Sequence, residues 1–295
     1  MLQDKKDLIK KIRHVDICTK ELVEGLQCGY YTSVFKGQGL EFTDIREYNP
    51  GDDIRTIDWN VTARLNHPYV REFSEERDQT FYFMLDYSGS GSFGSDTSKF
   101  EKMLEIAASL MFAAVRNNDR AGLCIFTDVV ERYIPAKRGR KHVISLINEL
   151  IIYKPQKTGT DISTALEYLS KIVKKRASFV LISDFFSSDF EKSLKILKNR
   201  HHEIIAIKIG DKRESDLLDV GLIEFEDPET GEQILADTSD EVFRENYSRL
   251  CREADENTRA ILKRCRAGIV EVDTSESFVR PLKAFFSGKI IRSDF

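Results

Sequence analysis

Three short clusters of oxygen-bearing side chains stand out as candidates for chemistry. They are Asp-x-Ser-x-Ser at residues 86–90, Thr-Gly-Thr-Asp at residues 158–161 and Ser-Asp at residues 183–184. Carboxylates and hydroxyls are the hard ligands that Mg²⁺ or Mn²⁺ prefers, in a shell of about six oxygens that includes water. Two carboxylates would leave such a cation able to accept one more from outside. The five predicted ligands are Asp86, Ser88, Ser90, Thr160 and Asp184.

The chain from residue 79 onward predicts a scaffold that positions these clusters. Short apolar runs alternate there with segments of helical periodicity, which is typical of a parallel sheet with helices on both faces. Ligands of such a sheet bind beyond the carboxyl ends of its strands, where all three clusters fall. We predict strands over 80–85, 121–126, 179–182, 204–209 and 268–272, an antiparallel edge strand over 129–134 and a hairpin over 224–236. We predict helices over 99–116, 142–152, 162–173, 190–200, 241–265 and 278–286.

Two segments precede this α/β domain. Residues 1–28 carry apolar side chains at near-helical spacing, which predicts an amphipathic helix. Residues 29–78 are rich in aromatic and β-branched side chains and contain an Asn-Pro-Gly-Asp turn, which predicts a small β-rich insert. The α/β domain itself is predicted to extend over residues 79–295.

The insert contains five arginines against a single lysine, together with many carboxylates. The planar guanidinium forms two parallel hydrogen bonds to a carboxylate, which lysine cannot do, so the composition predicts fixed ion pairs that brace the insert. The alternative is a docking surface for a partner. Trp59, the only tryptophan, is predicted to anchor a small core, with a binding role as its alternative. The candidate partner-binding residues are Arg46, Arg55, Asp58, Trp59 and Arg64.

Composition argues against several classes of function. The formal net charge of the 295 residues is -4 and both signs are spread along the chain, so there is no basic field of the kind that binds nucleic acid. No stretch approaches the roughly 20 apolar residues that span a bilayer. The amino terminus lacks the apolar core of a signal peptide. We therefore expect a soluble, cytoplasmic protein without a membrane span. The adjacent His201 and His202 are expected to form a polar helix end.

The five predicted ligands, in this order and at these strand ends, resemble the metal-ion-dependent adhesion site of von Willebrand factor A domains. The resemblance implies a doubly wound, mostly parallel sheet in which three hydroxyls bind a Mg²⁺ or Mn²⁺ ion and two aspartates bind it directly or through water. It also implies that a protein partner supplies an acidic residue to the metal, and that the carboxyl-terminal helix, here residues 276–286, moves in response. A simpler interpretation is that Asp86 and Ser90 only turn or cap their loop.

Residues 39–60, the following Ala-Arg at 63–64 and residues 70–73 are similar to the bacterial DUF58 family. With the adhesion-site motif, this resemblance covers most of the chain. Members of that family often accompany MoxR-type AAA+ ATPases, which implies an adaptor or regulator in chaperone-like or complex-assembly work. Many members carry membrane helices upstream, and the lack of one in this sequence favours a soluble form.

Two other functions stay open at this stage. A metal-dependent phosphoester hydrolase would use Asp86 as its nucleophile, but haloacid-dehalogenase-like phosphatases need a second carboxylate two residues on, where this chain has Ser88. The Gly-x-Ser-x-Gly and P-loop patterns are also missing. A ribonucleoprotein-binding A domain would use the basic stretch 259–266, although acidic residues lie one turn earlier. The sequence therefore favours a non-enzymatic, metal-dependent protein-binding module.

Overall fold

A computed structural model describes residues 40–75, 79–92, 98–187, 189–215 and 217–286. Among these, the residues up to Gln79 form one compact unit, here called the small unit, and those from Thr80 onward form a second, called the α/β unit. The predicted helix over residues 1–28 lies outside the described residues. In the part of the chain that the structure describes, no helix is long and apolar enough to cross a membrane.

The small unit is built from two strands and a short helix. Strand β1 (Leu40–Glu47) pairs antiparallel with β2 (Tyr69–Glu75), and a register shift interrupts the ladder. A 3₁₀ turn (Ile54–Thr56) and helix α1 (Trp59–Leu65) form the connection between these strands. The predicted β-rich segment therefore also contains a helix that its apolar pattern did not indicate.

Helix α1 begins because Asp58 caps it. The Asp58 carboxylate accepts hydrogen bonds from the backbone N–H groups of Asn60 and Val61, which satisfies donors that the first helical turn leaves unpaired. Asp58 is buried, whereas Trp59 at the first helical position is 66% exposed. The prediction that Trp59 anchors a small core is therefore wrong, because the cap turns the first helical side chain outward.

The α/β unit is organised around a six-stranded sheet in the order β10-β7-β6-β3-β4-β5. Adjacent strands are parallel except β4 and β5, which are antiparallel, so β5 is the predicted antiparallel edge strand. All six predicted sheet strands are confirmed. Because β3 and β6 are neighbours, the loops that follow them leave the sheet side by side. The strands are β3 (Thr80–Asp86), β4 (Arg120–Phe126), β5 (Val130–Lys137), β6 (Ser178–Ser183), β7 (Glu203–Gly210) and β10 (Gly268–Asp273).

Helices cover both faces of this sheet, because successive side chains of a buried strand point to opposite sides. Met84 and Phe179 lie in an apolar core with side chains of α4, α5 and α7, whereas α2 and α3 contact the sheet from the other face, toward which Phe83 points. This is the predicted von Willebrand A-like α/β fold, and the six predicted helices are confirmed. The helices are α2 (Lys99–Arg116), α3 (Arg140–Ile152), α4 (Ile162–Ile172), α5 (Glu191–Asn199), α6 (Lys212–Ser215), α7 (Glu241–Arg264) and α8 (Val279–Phe286).

The predicted hairpin is also confirmed. Strands β8 (Leu222–Glu226) and β9 (Gln233–Asp237) pair antiparallel and form a two-stranded sheet of their own. Leu222, Ile234 and Leu235 are each more than 60% exposed. The hairpin is therefore not part of the main sheet, and the position of its turn does not depend on pairing with that sheet.

His202 is buried rather than part of a polar helix end. It is 2% exposed, its Nδ1 accepts the backbone N–H of Ala177 at 3.2 Å, and its ring meets that of Phe179 edge to face. Burial and the positive charge of Arg200 both lower the pKa of His202. The expectation for the histidine pair is therefore wrong for His202, which is a buried residue directly before β7.

Candidate metal site

Three loops meet at the carboxyl ends of β3 and β6. Asp86 is the last residue of β3 and Asp184 follows β6 directly, and these side chains are 1% and 2% exposed. The backbone N–H of Gly89 donates to the carbonyl of Thr158 at 2.8 Å, which joins the loop after β3 to the loop before α4. The structure thus brings the three predicted clusters to one edge of the sheet.

Asp86 is held by its own loop and by the neighbouring strand. Its Oδ1 accepts the backbone N–H of Ser88 at 3.0 Å and its Oδ2 accepts the Ser183 hydroxyl at 2.6 Å. Burial, and then the charge of Asp184, raise the pKa of Asp86 to about 6. A buried carboxylate beside a second one favours any cation that can bind between or beside them.

The two motif serines also lie together, since the Oγ atoms of Ser88 and Ser90 are 2.9 Å apart. Ser88 is buried and Ser90 is half-buried. The simpler interpretation, in which Asp86 only turns its loop, accounts for the hydrogen bond to the Ser88 N–H. It does not account for the burial of Asp184 within electrostatic reach of Asp86.

Sequence reasoning missed a buried ion-pair network at this edge. The Lys99 ammonium donates to Asp184 Oδ2 at 3.0 Å and also pairs with Glu214 of α6. The Lys99 side chain is 0% exposed. Burial alone would lower the pKa of Lys99, but the two carboxylates raise it above its usual value. The available signal was weak: a lysine follows the helix cap Ser98 at the start of an amphipathic helix with a wide buried face.

The loop that carries Thr160 is fixed at both ends. On one side, the Glu131 carboxylate of β5 accepts the Tyr153 hydroxyl at 2.8 Å and the backbone N–H groups of Gln156 and Lys157. On the other side, Asp161 caps α4 by accepting the backbone N–H of Thr164. Thr160 is therefore presented by a loop with little freedom of its own.

The hydroxyl of Thr160 is engaged by an acidic side chain that the prediction did not include. Thr160 Oγ1 donates to Glu229 Oε1 at 2.6 Å, and Thr158 Oγ1 donates to the Glu229 carbonyl at 2.9 Å. Glu229 belongs to the turn between β8 and β9. The same turn touches the first loop at Gly89, where an added Cβ would lie 2.3 Å from the carbonyl oxygen of Pro228. Only glycine permits this approach.

The donor set fits a hard divalent cation. Among the described residues, no group of three or more His, Cys, Asp or Glu side chains is arranged to hold a metal. A cation at this edge would therefore depend on hydroxyl oxygens as well as carboxylates, which is the donor chemistry that Mg²⁺ and Mn²⁺ accept. Asp86 and Asp184 would supply the charge, and Ser88, Ser90 and Thr160 would supply neutral oxygens.

The candidate partner-binding residues of the small unit have different environments. Arg46 forms two hydrogen bonds to the Asp52 carboxylate at 2.7 and 2.8 Å, which confirms the predicted arginine–carboxylate geometry for this pair. Asp58 is buried as the cap of α1. Arg55, Trp59 and Arg64 are exposed, so within this unit they are the candidates that stay accessible.

Comparison with known proteins assigns a family. The family model described as "Protein of unknown function DUF58" matches residues 44–257. Uncharacterized protein Rv1480 of Mycobacterium tuberculosis is 26% identical over 291 residues, covering 97% of this chain and 91% of that protein. An aerotolerance-related membrane protein from Bacteroides fragilis matches with a TM-score of 0.51 at 18% identity, over 70% of this chain and 98% of that one. BatB from Bacteroides thetaiotaomicron matches with a TM-score of 0.49 at 16% identity, over 71% of this chain and 97% of that one.

Proposed function

The chain belongs to the DUF58 family, and for this member we propose divalent-metal-dependent protein binding without catalysis. The observation that carries the proposal is the burial of Asp86 and Asp184 within electrostatic reach of each other, at a sheet edge lined by serine and threonine hydroxyls. A divalent cation would relieve the repulsion between the two carboxylates. Because the other donors are neutral, the cation would keep enough charge to attract an acidic side chain of a partner.

The charges around the site support a cation of charge +2. Asp86, Asp184 and Glu214 provide three carboxylates, and the Lys99 ammonium neutralises one of them. These four side chains together carry two negative charges, before the carboxylate of Glu229 beside Thr160 is added, so a divalent ion suits them better than a monovalent one. Lys99 and Glu214 therefore position Asp184 and set the charge of the site, while the hydroxyls and the remaining lone pairs of the aspartates would be the groups that hold the cation.

Ser88 supports binding over catalysis. A phosphatase that used Asp86 as its nucleophile would need a proton donor two residues on, and the hydroxyl of Ser88 is a far weaker acid than a carboxyl group. A MoxR-type AAA+ ATPase is the partner that the DUF58 resemblance implies. Such a partner would contribute one carboxylate to the cation and bind with an affinity that depends on the metal.

The direct test is a calorimetric titration of chelator-treated protein with Mn²⁺, Mg²⁺ and Ca²⁺. We expect Asp86→Asn to weaken Mn²⁺ binding at least about tenfold, because it removes one of two charged ligands. The matched control is Asp219→Asn, which changes an exposed aspartate and is expected to bind like the wild type. Equal Mn²⁺ affinity in wild type and Asp86→Asn would refute the metal site.

A second experiment tests the partner and the absence of catalysis. Binding of a purified MoxR-type ATPase from the same organism is measured with Mg²⁺ and again with chelator, for wild type and Asp86→Asn. We expect binding only by the wild type and only with the metal. Turnover of a generic phosphate ester that is lost in Asp86→Asn would instead establish a hydrolase and overturn the proposal.

A further inference from the structure

The candidate site already contacts an acidic side chain of its own chain. The turn at residues 227–231, here called the acidic turn, brings Glu229 to the Thr160 hydroxyl, which is one of the five predicted metal ligands. Glu229 is half-buried although its neighbours Pro228 and Thr230 are exposed. Its side chain therefore points inward, against the site.

The acidic turn is stiff enough to present Glu229 in one position. The carboxylate of Asp227 accepts the Glu229 N–H and the Thr230 hydroxyl, both at 2.8 Å. These two hydrogen bonds hold the pKa of Asp227 below its usual value. The Gly231 N–H donates to the Asp227 carbonyl, and Gly231 takes a positive φ of 73° that closes the turn.

We propose that the acidic turn is an internal occupant of the candidate site, in which Glu229 takes the place of the partner's acidic residue and must leave before a partner binds. This inference rests on the proposed function. The turn contacts two of the three loops that carry predicted ligands: Thr158 and Thr160 donate to it, and Gly89 meets the Pro228 carbonyl. An acidic residue from a partner that approached the Thr160 hydroxyl would meet Glu229 first.

The hairpin behind the turn is built so that it can move away. Its strands β8 and β9 pair with each other and with no strand of the main sheet, within the described residues. At its base, Thr238 donates its backbone N–H and its hydroxyl to the Gly221 carbonyl, so the hairpin is closed without the site. Displacing the tip would break a few hydrogen bonds and leave the hairpin itself intact.

The geometry also indicates the kind of partner that fits. The internal occupant is a glutamate in a tight turn, preceded by a proline and held by an aspartate two residues earlier. A partner that replaces it should present a glutamate or aspartate on a similarly rigid turn, because a preorganised ligand loses less conformational entropy on binding. A flexible acidic tail would compete poorly.

The experiment adds a separate peptide copy of the acidic turn to the full chain and measures whether it binds. The probe is a fluorescent cyclic peptide that copies residues 225–233, and its binding to the full chain is followed by anisotropy with Mn²⁺ or with chelator. The test variant is Glu229→Gln, which keeps the shape and removes the charge. The matched control is Glu232→Gln, which changes an exposed glutamate beside the same turn.

We expect Glu229→Gln to bind the peptide at least about tenfold more tightly than wild type or Glu232→Gln, corresponding to about 1.4 kcal/mol. Chelator should abolish this binding, and so should a glutamine in the peptide at the position of Glu229. Hydrogen exchange at residues 222–237 should also be faster in Glu229→Gln than in Glu232→Gln, because the charged contact that helps to hold the tip is lost.

The outcomes separate the two proposals. If Glu229→Gln binds Mn²⁺ but binds the peptide no better than Glu232→Gln, the internal occupant is wrong and the metal site stands. Equal hydrogen exchange in the two variants would likewise overturn it. If neither wild type nor Glu229→Gln binds Mn²⁺, the proposed function fails, and the competition at a metal fails with it.

Discussion

The Lys99 network and the Arg46–Asp52 pair both join a basic side chain to carboxylates, but burial separates them. The Lys99 and Asp184 side chains are 0% and 1% exposed, whereas those of Arg46 and Asp52 are 39% and 22% exposed. A buried charge that loses its partner has no water to replace it, while an exposed one is resolvated at once. We therefore expect the α/β unit to need its lysine–carboxylate pair for stability, and the small unit to tolerate the loss of its arginine–carboxylate pair.

Hydrogen-bond geometry alone would suggest that the Arg46–Asp52 pair contributes more to stability than the Lys99 network. The guanidinium of Arg46 makes two short hydrogen bonds to Asp52, and these hold the pKa of Asp52 at about 2. Lys99 makes one hydrogen bond of 3.0 Å to Asp184 and pairs with Glu214 through the same ammonium group. The environment of an ion pair, more than its hydrogen-bond geometry, therefore decides how much stability is lost when the pair is removed.

The largest expected effect is that of Lys99→Met. Removing the ammonium leaves the buried Asp184 without its counter-charge and the half-buried Glu214 without its partner, so the free energy of unfolding should fall by about 3 to 5 kcal/mol. Urea denaturation of the chelator-treated protein measures this loss. Mn²⁺ should restore part of it, because a cation at Asp184 replaces the missing charge. The control Lys195→Met removes an exposed pair with Glu191 and should cause no measurable loss.

A small loss of unfolding free energy in Lys99→Met would contradict the contrast between the buried network and the exposed pair. If the variant loses less than about 1 kcal/mol, as an exposed pair does, the buried network does not need its lysine. If the loss is large but Mn²⁺ restores none of it, the network is structural and does not share Asp184 with a cation.

Glu131→Gln tests a carboxylate of intermediate burial. The hydrogen bonds that Glu131 accepts from Gln156 and Lys157 hold the loop before Thr160, and although burial raises its pKa, these and other donors lower it overall. The amide can accept only part of this set, so we expect a loss of about 1 to 2 kcal/mol in unfolding free energy. We also expect weaker Mn²⁺ binding in calorimetry. Unchanged metal affinity would show that the loop keeps its position without Glu131.

Sequence patterns predicted the six sheet strands and six of the helices because these depend on local spacing. They also placed the five candidate ligands at strand and helix ends, where their role as metal ligands stays a prediction. Asp86, Thr160 and Asp184 each stand next to a strand or helix whose apolar pattern is clear. No motif marks Lys99 or Glu229 as part of this edge, and their contacts with Asp184 and Thr160 span 85 and 69 residues of sequence. Only the packing of the α2 start and the β8–β9 turn against the sheet edge brings them there.

The small unit shows the other limit of such reasoning. Its charged composition predicted ion pairs, and the Arg46–Asp52 pair is one. The burial of Asp58 and the exposure of Trp59 followed from a helix cap that a β-rich pattern concealed. A short helix of seven residues has too few turns to show a periodicity of its own.

His202 extends the comparison to a buried group without an opposite charge. Its pKa is lowered in the folded state, so the unfolded chain takes up a proton that the folded chain refuses. Stability is therefore fully present above about pH 6.5 and falls as the pH drops below that value. His202→Asn, which keeps an acceptor for the Ala177 N–H, should flatten this part of the pH profile in urea denaturation. An unaltered slope in His202→Asn would contradict the assignment.

The smallest effect is expected for Arg46→Met in the small unit. Both partners of this pair are accessible to water, so the Asp52 carboxylate regains hydration when the guanidinium is removed. We expect no change in unfolding free energy beyond experimental error at physiological salt, where exposed charges are screened over about 8 Å. A loss that appears at low salt and disappears at high salt would agree with this interpretation. A loss that persists in 1 M salt would show that Arg46 packs as well as pairs, and that the small unit depends on its arginines as the α/β unit depends on Lys99.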